Sequence, residues 1–270
     1  MMSENAIGIF DSGLGGLTAV KQLTQVLPNE NIIYFGDTAR VPYGTRSRST
    51  IVKYAEQDAD FLLSQGVKMV IAACGTVSSV ATGLADELPV PFTGVVIPTA
   101  TAAVRATRNG RVGVIGTSAT VQSGSYKKEI LRQSCDITVY QQDCPLFVSL
   151  VENGFVSADD DIVKLVVERY LAPMKKQKID TLILGCTHFP IIADAISQYL
   201  GENVTLIDSG RETALWAADI LQKQGLLSRS NTPGSCHYYV SDTVDDFRRT
   251  AEIFLGRTVA REVSHIDLNT

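Results

Sequence analysis

Two cysteines carry the clearest chemical signal in this chain. Cys74 and Cys186 each end an apolar run, MVIAAC and TLILGC, and each is followed within two residues by threonine, in Cys74-Gly75-Thr76 and Cys186-Thr187. A single cysteine at a strand end reads most simply as a small buried hydrophobe. A matched pair reads differently. At a strand-to-helix turn the N–H groups of the helix point at the sulfur, which predicts a lowered thiol pKa and a setting for proton transfer or nucleophilic attack. One activated thiol suits acyl transfer. Two equivalent thiols on opposite sides of a substrate suit removal of a proton from one face and delivery to the other, which is the chemistry of racemisation, with one group as thiolate and its partner as thiol. A proton next to a carboxylate is weakly acidic, so such a site also needs preorganised donors for the carbanion and exclusion of water.

The neighbours of these cysteines supply further candidates. Asp11-Ser12 follows the first apolar run and could hold a substrate ammonium or tune Cys74; the alternative is a helix N-cap, for which both residue types are preferred. His188, two residues past Cys186, could orient that thiol or accept its proton, or be a satisfied structural histidine. The segment DSGLGGLT (Asp11–Thr18) is glycine-rich but lacks the Lys-Ser/Thr ending of a phosphate loop and the spacing of a dinucleotide fingerprint. Its glycines, and Tyr43-Gly44, are read as letting backbone approach a small anion such as a carboxylate. Cys135, Cys144, Cys236, His237 and His265 are assigned structural roles.

Elements that would position these residues are visible in the hydropathy pattern. Apolar, β-branched runs at Ile7–Phe10, Ile32–Phe35, Met69–Ala73, Val112–Ile115, Thr181–Leu184 and Val204–Ile207 lead into Gly, Asp, Ser or Thr. Amphipathic stretches such as Ser47–Gln65 and Asp159–Lys176 lie between them, the signature of βα units around parallel sheet. Ligands bind beyond the carboxyl ends of such strands, where the candidates fall. The chain also repeats itself weakly. IGIFDSG and VGVIGTS open similar halves, with Cys74 67 residues after Ile7 and Cys186 74 residues after Val112. A duplication of this kind brings two equivalent cysteines to one cleft. Near the end, His237–Asp242 reads as a strand and Asp245–Leu255 as a helix, with no chemistry assigned.

Bulk properties narrow the function classes. The 270 residues suit one large α/β unit or two domains of roughly 100–150 residues. With 45% hydrophobic and 20% charged residues the composition is that of a packed globular protein. A net charge of −5, with no basic cluster beyond the loop-like Arg40–Arg48, argues against nucleic acid. No apolar run approaches the ~20 residues of a membrane span. The start MMSENAIGIF has no basic region followed by an apolar one, so a cytoplasmic location is expected. Five cysteines without CxxC spacing predict neither a disulfide framework nor a zinc site.

The motifs IGIFDSGLGGLT, DTARVPYG (Asp37–Gly44), VIAACGT, VGVIGTSAT, LVENG (Leu150–Gly154) and GCTHFP (Gly185–Pro190) occur in that order over nearly the whole chain. In these the sequence resembles the glutamate racemases of the aspartate/glutamate racemase superfamily. The resemblance implies two Rossmann-like (flavodoxin-like) α/β domains of parallel sheet related by pseudo-two-fold symmetry. The first would be discontinuous, 1–98 plus 208–270, the second would span 99–207, and the active site would lie in the cleft between them. It implies interconversion of L- and D-glutamate without pyridoxal phosphate, other cofactor or metal, supplying D-glutamate for peptidoglycan, by a chain that is commonly a homodimer. By motif match Cys74 and Cys186 would be the catalytic pair, assisted by Asp11 on the Cys74 side and by Glu152 and His188 on the other. Asp11, Ser12, Pro42, Tyr43, Gly44, Gly75, Thr76, Thr117, Thr120 and Thr187 would line the substrate site. One position departs from the pattern: the family usually reads Cys-Asn-Thr where this chain has Cys74-Gly75-Thr76, so an amide donor to the substrate carboxylate is missing. Racemisation of aspartate or another acidic amino acid is the alternative activity. A binding protein with an inactive site is the alternative from another class, with Gly75 as its only support.

Overall fold

Continuous apolar runs make the central strands, because a parallel strand covered on both faces has no polar side to show. The computed structural model describes residues 2–258 and 263–268. Among these, ten strands form two sheets: β1 (Ile7–Asp11), β2 (Ile32–Gly36), β3 (Met69–Ala72), β4 (Phe92–Gly94), β5 (Arg111–Gly116), β6 (Thr138–Asp143), β7 (Thr181–Leu184), β8 (Thr205–Asp208), β9 (Cys236–Val240) and β10 (Val263–His265). All pairings are parallel. One sheet has the order β10-β9-β2-β1-β3-β4 and the other β6-β5-β7-β8. Every residue of β1, β3 and β7 is buried.

The weak repeat in the sequence is a repeat of topology. The segment β2-β1-β3-β4 of the first sheet and the whole second sheet share one strand order, the flavodoxin-like arrangement. Their registers agree as well. Ile7 pairs with Met69, and Val112 pairs with Thr181. Cys74 follows Met69 by five residues and Cys186 follows Thr181 by five. Counting from Ile7 and Val112 in the same way makes Ser12 and Thr117 equivalent, and Thr76 equivalent to His188. In each half the strand order switches between β1 and β3, or β5 and β7, so each cysteine stands at the crevice where such sheets bind ligands.

Six strands and both long amphipathic helices coincide with the expectations from sequence to within two residues at each end. Ser47 caps the helix Arg48–Ser64 by accepting from the Thr50 N–H, and Asp160 caps Asp161–Lys176 by accepting from Ile162 and Val163. The strand at 237–242 forms as β9 and the following helix spans Val244–Leu255. One apolar core extends from the first half (Ile7, Ile9, Leu17, Val20) into the second (Ile115, Phe147, Leu182, Phe189) and under the C-terminal helix (Phe247, Phe254). The two halves are thus packed through shared hydrophobic surface. No described helix is long and apolar enough to cross a membrane.

Candidate active site

Cys74 is the residue before the helix Gly75–Val80, and both thiols are nearly closed off from solvent, at 5% exposure for Cys74 and 6% for Cys186. Cys74 Sγ lies 3.5 Å from the Ser12 hydroxyl. Burial, and after it the Asp11 carboxylate, push its thiol up to about 12, against lowering contributions from Ser12 and the Val77 N–H. This corrects the expectation that helix N–H groups lower this pKa: desolvation outweighs a helix only six residues long. At neutral pH Cys74 is a thiol.

The second cysteine has a different partner. The chain after Cys186 forms a short 3-10 turn, Phe189–Ile192, with Pro190 in its first turn. His188 is the residue before that turn. Its Nδ1 is 3.8 Å from Cys186 Sγ and 3.4 Å from the Thr187 hydroxyl, and its Nε2 is 3.0 Å from Glu152 Oε1. Burial alone would lower the imidazole pKa, but hydrogen bonds and charge from Cys186 and Glu152 hold it at about 10. The imidazole is thus held toward its charged form, bonded on one side to Glu152 and on the other facing the Cys186 sulfur. The Phe254 ring meets it edge-on at 5.3 Å, so the C-terminal helix walls this side.

Asp11 ends β1, buried, with Oδ2 accepting from the Gly13 N–H at 3.1 Å and Oδ1 without a partner among the described residues. Burial raises its carboxyl pKa, opposed in part by the charge on His188. The glycine turn after it brings the halves together. A methyl at Gly15 would run into Thr187 and His188, and the Thr18 hydroxyl lies 2.9 Å from the carbonyl oxygens of Gly15 and Thr187. Thr76 and Thr117 join hydroxyls across the halves at 3.0 Å, and Thr117 Oγ1 lies 3.0 Å from Thr120 Oγ1 while capping the helix Ser118–Ser123. These hydroxyls form one chain across the halves, in which Thr117 donates to Thr120.

Pro42, Tyr43 and Gly44 follow β2. A methyl at Gly44 would sit 3.3 Å from Thr117, so this backbone faces the hydroxyl row. The Tyr43 side chain points elsewhere: its hydroxyl is bonded to Asp37 and Asp58, so this segment meets Thr117 through its main chain at Gly44. At Gly75 a Cβ would overlap the carbonyl oxygen of Gly185. The missing side chain is thus a condition for close approach of the two cysteine loops as well as the loss of an amide. Cys135 is exposed, Cys144 is buried in the core, and Cys236 begins β9. Among the described residues no group of three or more His, Cys, Asp or Glu is arranged to hold a metal ion.

The glycines of Asp11–Thr18 are read from sequence as facing an anion, whereas the contacts of Gly15, Thr18 and Phe254 with the Thr187–His188 segment are not visible there. The usable signal for Thr18 was its place in the first turn of the helix after the glycines. Phe254 carried none, since its partner is 66 residues away in the other half.

Comparison with known proteins agrees with this geometry. A family model described as Asp/Glu/Hydantoin racemase matches residues 15–217. Glutamate racemase of Geobacter metallireducens is 44% identical over 256 residues, covering 94% of each chain. That of Neisseria meningitidis serogroup A is 45% identical over 258 residues, 95% of this chain and 94% of the relative. The crystal structure of glutamate racemase from Francisella tularensis, solved in complex with D-glutamate, superimposes with a TM-score of 0.91 at 41% identity, covering 99% of each chain. With two register-equivalent thiols at the switch points of a repeated parallel fold, and relatives this similar over nearly its whole length, the chain belongs to the Asp/Glu/Hydantoin racemase family and is an amino-acid racemase.

Proposed function

We propose that the chain interconverts L- and D-glutamate by a two-thiol mechanism that needs neither cofactor nor metal. The observation that carries this reading is the equivalence of Cys74 and Cys186 in register, each with its own polar partner, on two loops that touch at Gly75 and Gly185. In one direction Cys186, beside His188, acts as the base and Cys74 as the acid. The Cys186 thiolate takes the α-proton from one enantiomer. The electron pair left at Cα delocalises into the substrate carboxylate, stabilised by the threonine hydroxyls, and Cys74 gives its proton to the opposite face. The product leaves Cys186 as thiol and Cys74 as thiolate, the state that processes the other enantiomer. Asp11 Oδ1 is placed for the substrate ammonium, Ser12 for the Cys74 sulfur, and Glu152 holds His188 charged.

Glutamate is favoured as substrate because the similar Francisella enzyme was solved with D-glutamate and the curated relatives at about this identity are glutamate racemases. The cleft lies between a first domain, 1–98 plus 208–270, and a second, 99–207. Supply of D-glutamate for peptidoglycan, a cytoplasmic location and a homodimer complete the proposal. The test is polarimetric assay of each enantiomer of glutamate and of aspartate with purified chain dialysed against a chelator and free of pyridoxal phosphate. Racemisation of glutamate to an equal mixture from both sides is expected. Preference for aspartate would overturn the substrate, and dependence on an added cofactor would overturn the mechanism.

A further inference from the structure

A buried charge cluster that proton transfer does not use lies beneath the Pro42–Gly44 segment. Arg40 Nε is 2.5 Å from Asp37 Oδ2, its Nη2 is 2.9 Å from Asp58 Oδ1, and its Nη1 donates to Gln57. Both aspartate side chains are fully buried and Arg40 is 13% exposed. The guanidinium stacks 4.1 Å over the Tyr54 ring, which packs 5.3 Å from the ring of Tyr43. The Tyr43 hydroxyl is bonded to Asp37 Oδ2 and lies 3.0 Å from Asp58 Oδ2. The other Asp37 oxygen accepts from Ser241 after β9.

A phenol has one hydrogen and cannot donate to two carboxylates. Its shorter bond is to Asp37, so the contact with Asp58 needs a proton on Asp58. Burial beside Asp37 pushes the Asp58 carboxyl the same way, well above its usual range. One guanidinium, one carboxylate and one neutral acid then make a cluster without net charge, the condition under which such groups tolerate burial.

We propose that Asp58, acting through Arg40 and Tyr43, is a positioning residue that holds the Pro42–Gly44 backbone at the substrate, against Thr117 of the other half. Asp58 sits in the helix Arg48–Ser64, and its side-chain hydrogen bonds run to Arg40 and Tyr43. The proposal rests on the reading above that Pro42–Gly44 contacts substrate.

The test is steady-state kinetics in both directions, with thermal melts, for Asp58→Ala, Asp58→Asn, Arg40→Gln and Gly44→Val. Loss of a clamp on a binding segment weakens ground state and transition state alike, so Asp58→Ala is expected to raise KM for both enantiomers about tenfold with kcat within about twofold of the parent. Asp58→Asn should keep the parent KM, because an amide accepts from Arg40 and donates to Tyr43. If Asp58→Ala fails to fold, Arg40→Gln carries the test with the same expected rise. A lowered melting temperature with unchanged KM in Asp58→Ala or Arg40→Gln would overturn the proposal and reduce the cluster to a structural one. If Gly44→Val raises KM while those two variants do not, the clamp is wrong and the substrate reading stands. If none of the three moves KM, both fall. An asparagine variant as impaired as the alanine variant would overturn the shared-proton arrangement.

Discussion

Replacing Gly75 by alanine places a methyl group where the Gly185 carbonyl oxygen already lies. Gly75 follows Cys74 and Gly185 precedes Cys186, so the contact is between the two cysteine loops themselves. Gly185 cannot retreat freely: its N–H is bonded to the Ile115 carbonyl at 2.8 Å, and its Cα faces Ile115 and the Tyr126 ring. Restoring an ordinary van der Waals separation moves the loops apart by on the order of 1 Å, a displacement that in a proton-transfer site costs about 100-fold in rate. Strain of this kind lowers stability by about 1–3 kcal/mol. For Gly75→Ala, kcat for both enantiomers of glutamate is therefore expected to fall about 100-fold, with a melt showing a folded protein. Gly75→Asn adds an amide at the same point and separates two effects. If close packing of the loops governs, kcat falls as in the alanine variant. If the loops part readily, the amide reaches substrate and KM falls with kcat retained. That second outcome, or parent kinetics in Gly75→Ala, would refute the argument from packing.

Glu152→Gln removes the charge that helps hold His188 protonated, so the alkaline limb of the pH profile of kcat/KM, set by an imidazolium near 10, is expected to move to lower pH; an unmoved limb would detach Glu152 from His188. Thr18→Val leaves the Thr187 carbonyl without its donor from the other half, with an expected loss of about 1–3 kcal/mol in urea denaturation. Asp180, although burial opposes it, is held below the usual carboxylate range by Thr107, Asn109, Arg108 and Thr181. A depressed pKa adds stability above the unfolded value of about 3.9 that is lost as pH falls through the folded value. Acid denaturation curves should show that loss in the parent and not in Asp180→Asn.

The central strands were legible because both faces of β1, β3, β5 and β7 are covered, which leaves uninterrupted apolar runs. The edge strand β6, Thr138–Asp143, is exposed at its first residue and half-buried at the rest, and its polar TVYQQD carries no such run. β4 has three residues after a proline, and β10 likewise three, too short for a periodicity to register. At the site, the two thiols, the Asp11 turn and GCTHFP were readable because residue type and strand-end position coincide. Electrostatics was less so, since the state of Cys74 depends on burial and on Asp11 from another strand. Asp58 was illegible for a related reason. It is 18 residues from Arg40, in a helix of ordinary charged composition, and only the packing of that helix on β1–β3 shows that it faces inward.

The most direct test of the two-thiol account is exchange of the α-hydrogen of each glutamate enantiomer in deuterated water, followed separately in Cys74→Ser and Cys186→Ser. With one base remaining on one face, each variant is expected to lose racemisation while still exchanging the α-hydrogen of a single enantiomer, and the two variants should choose opposite enantiomers. Near-normal racemisation by either variant, or exchange of the same enantiomer by both, would contradict it.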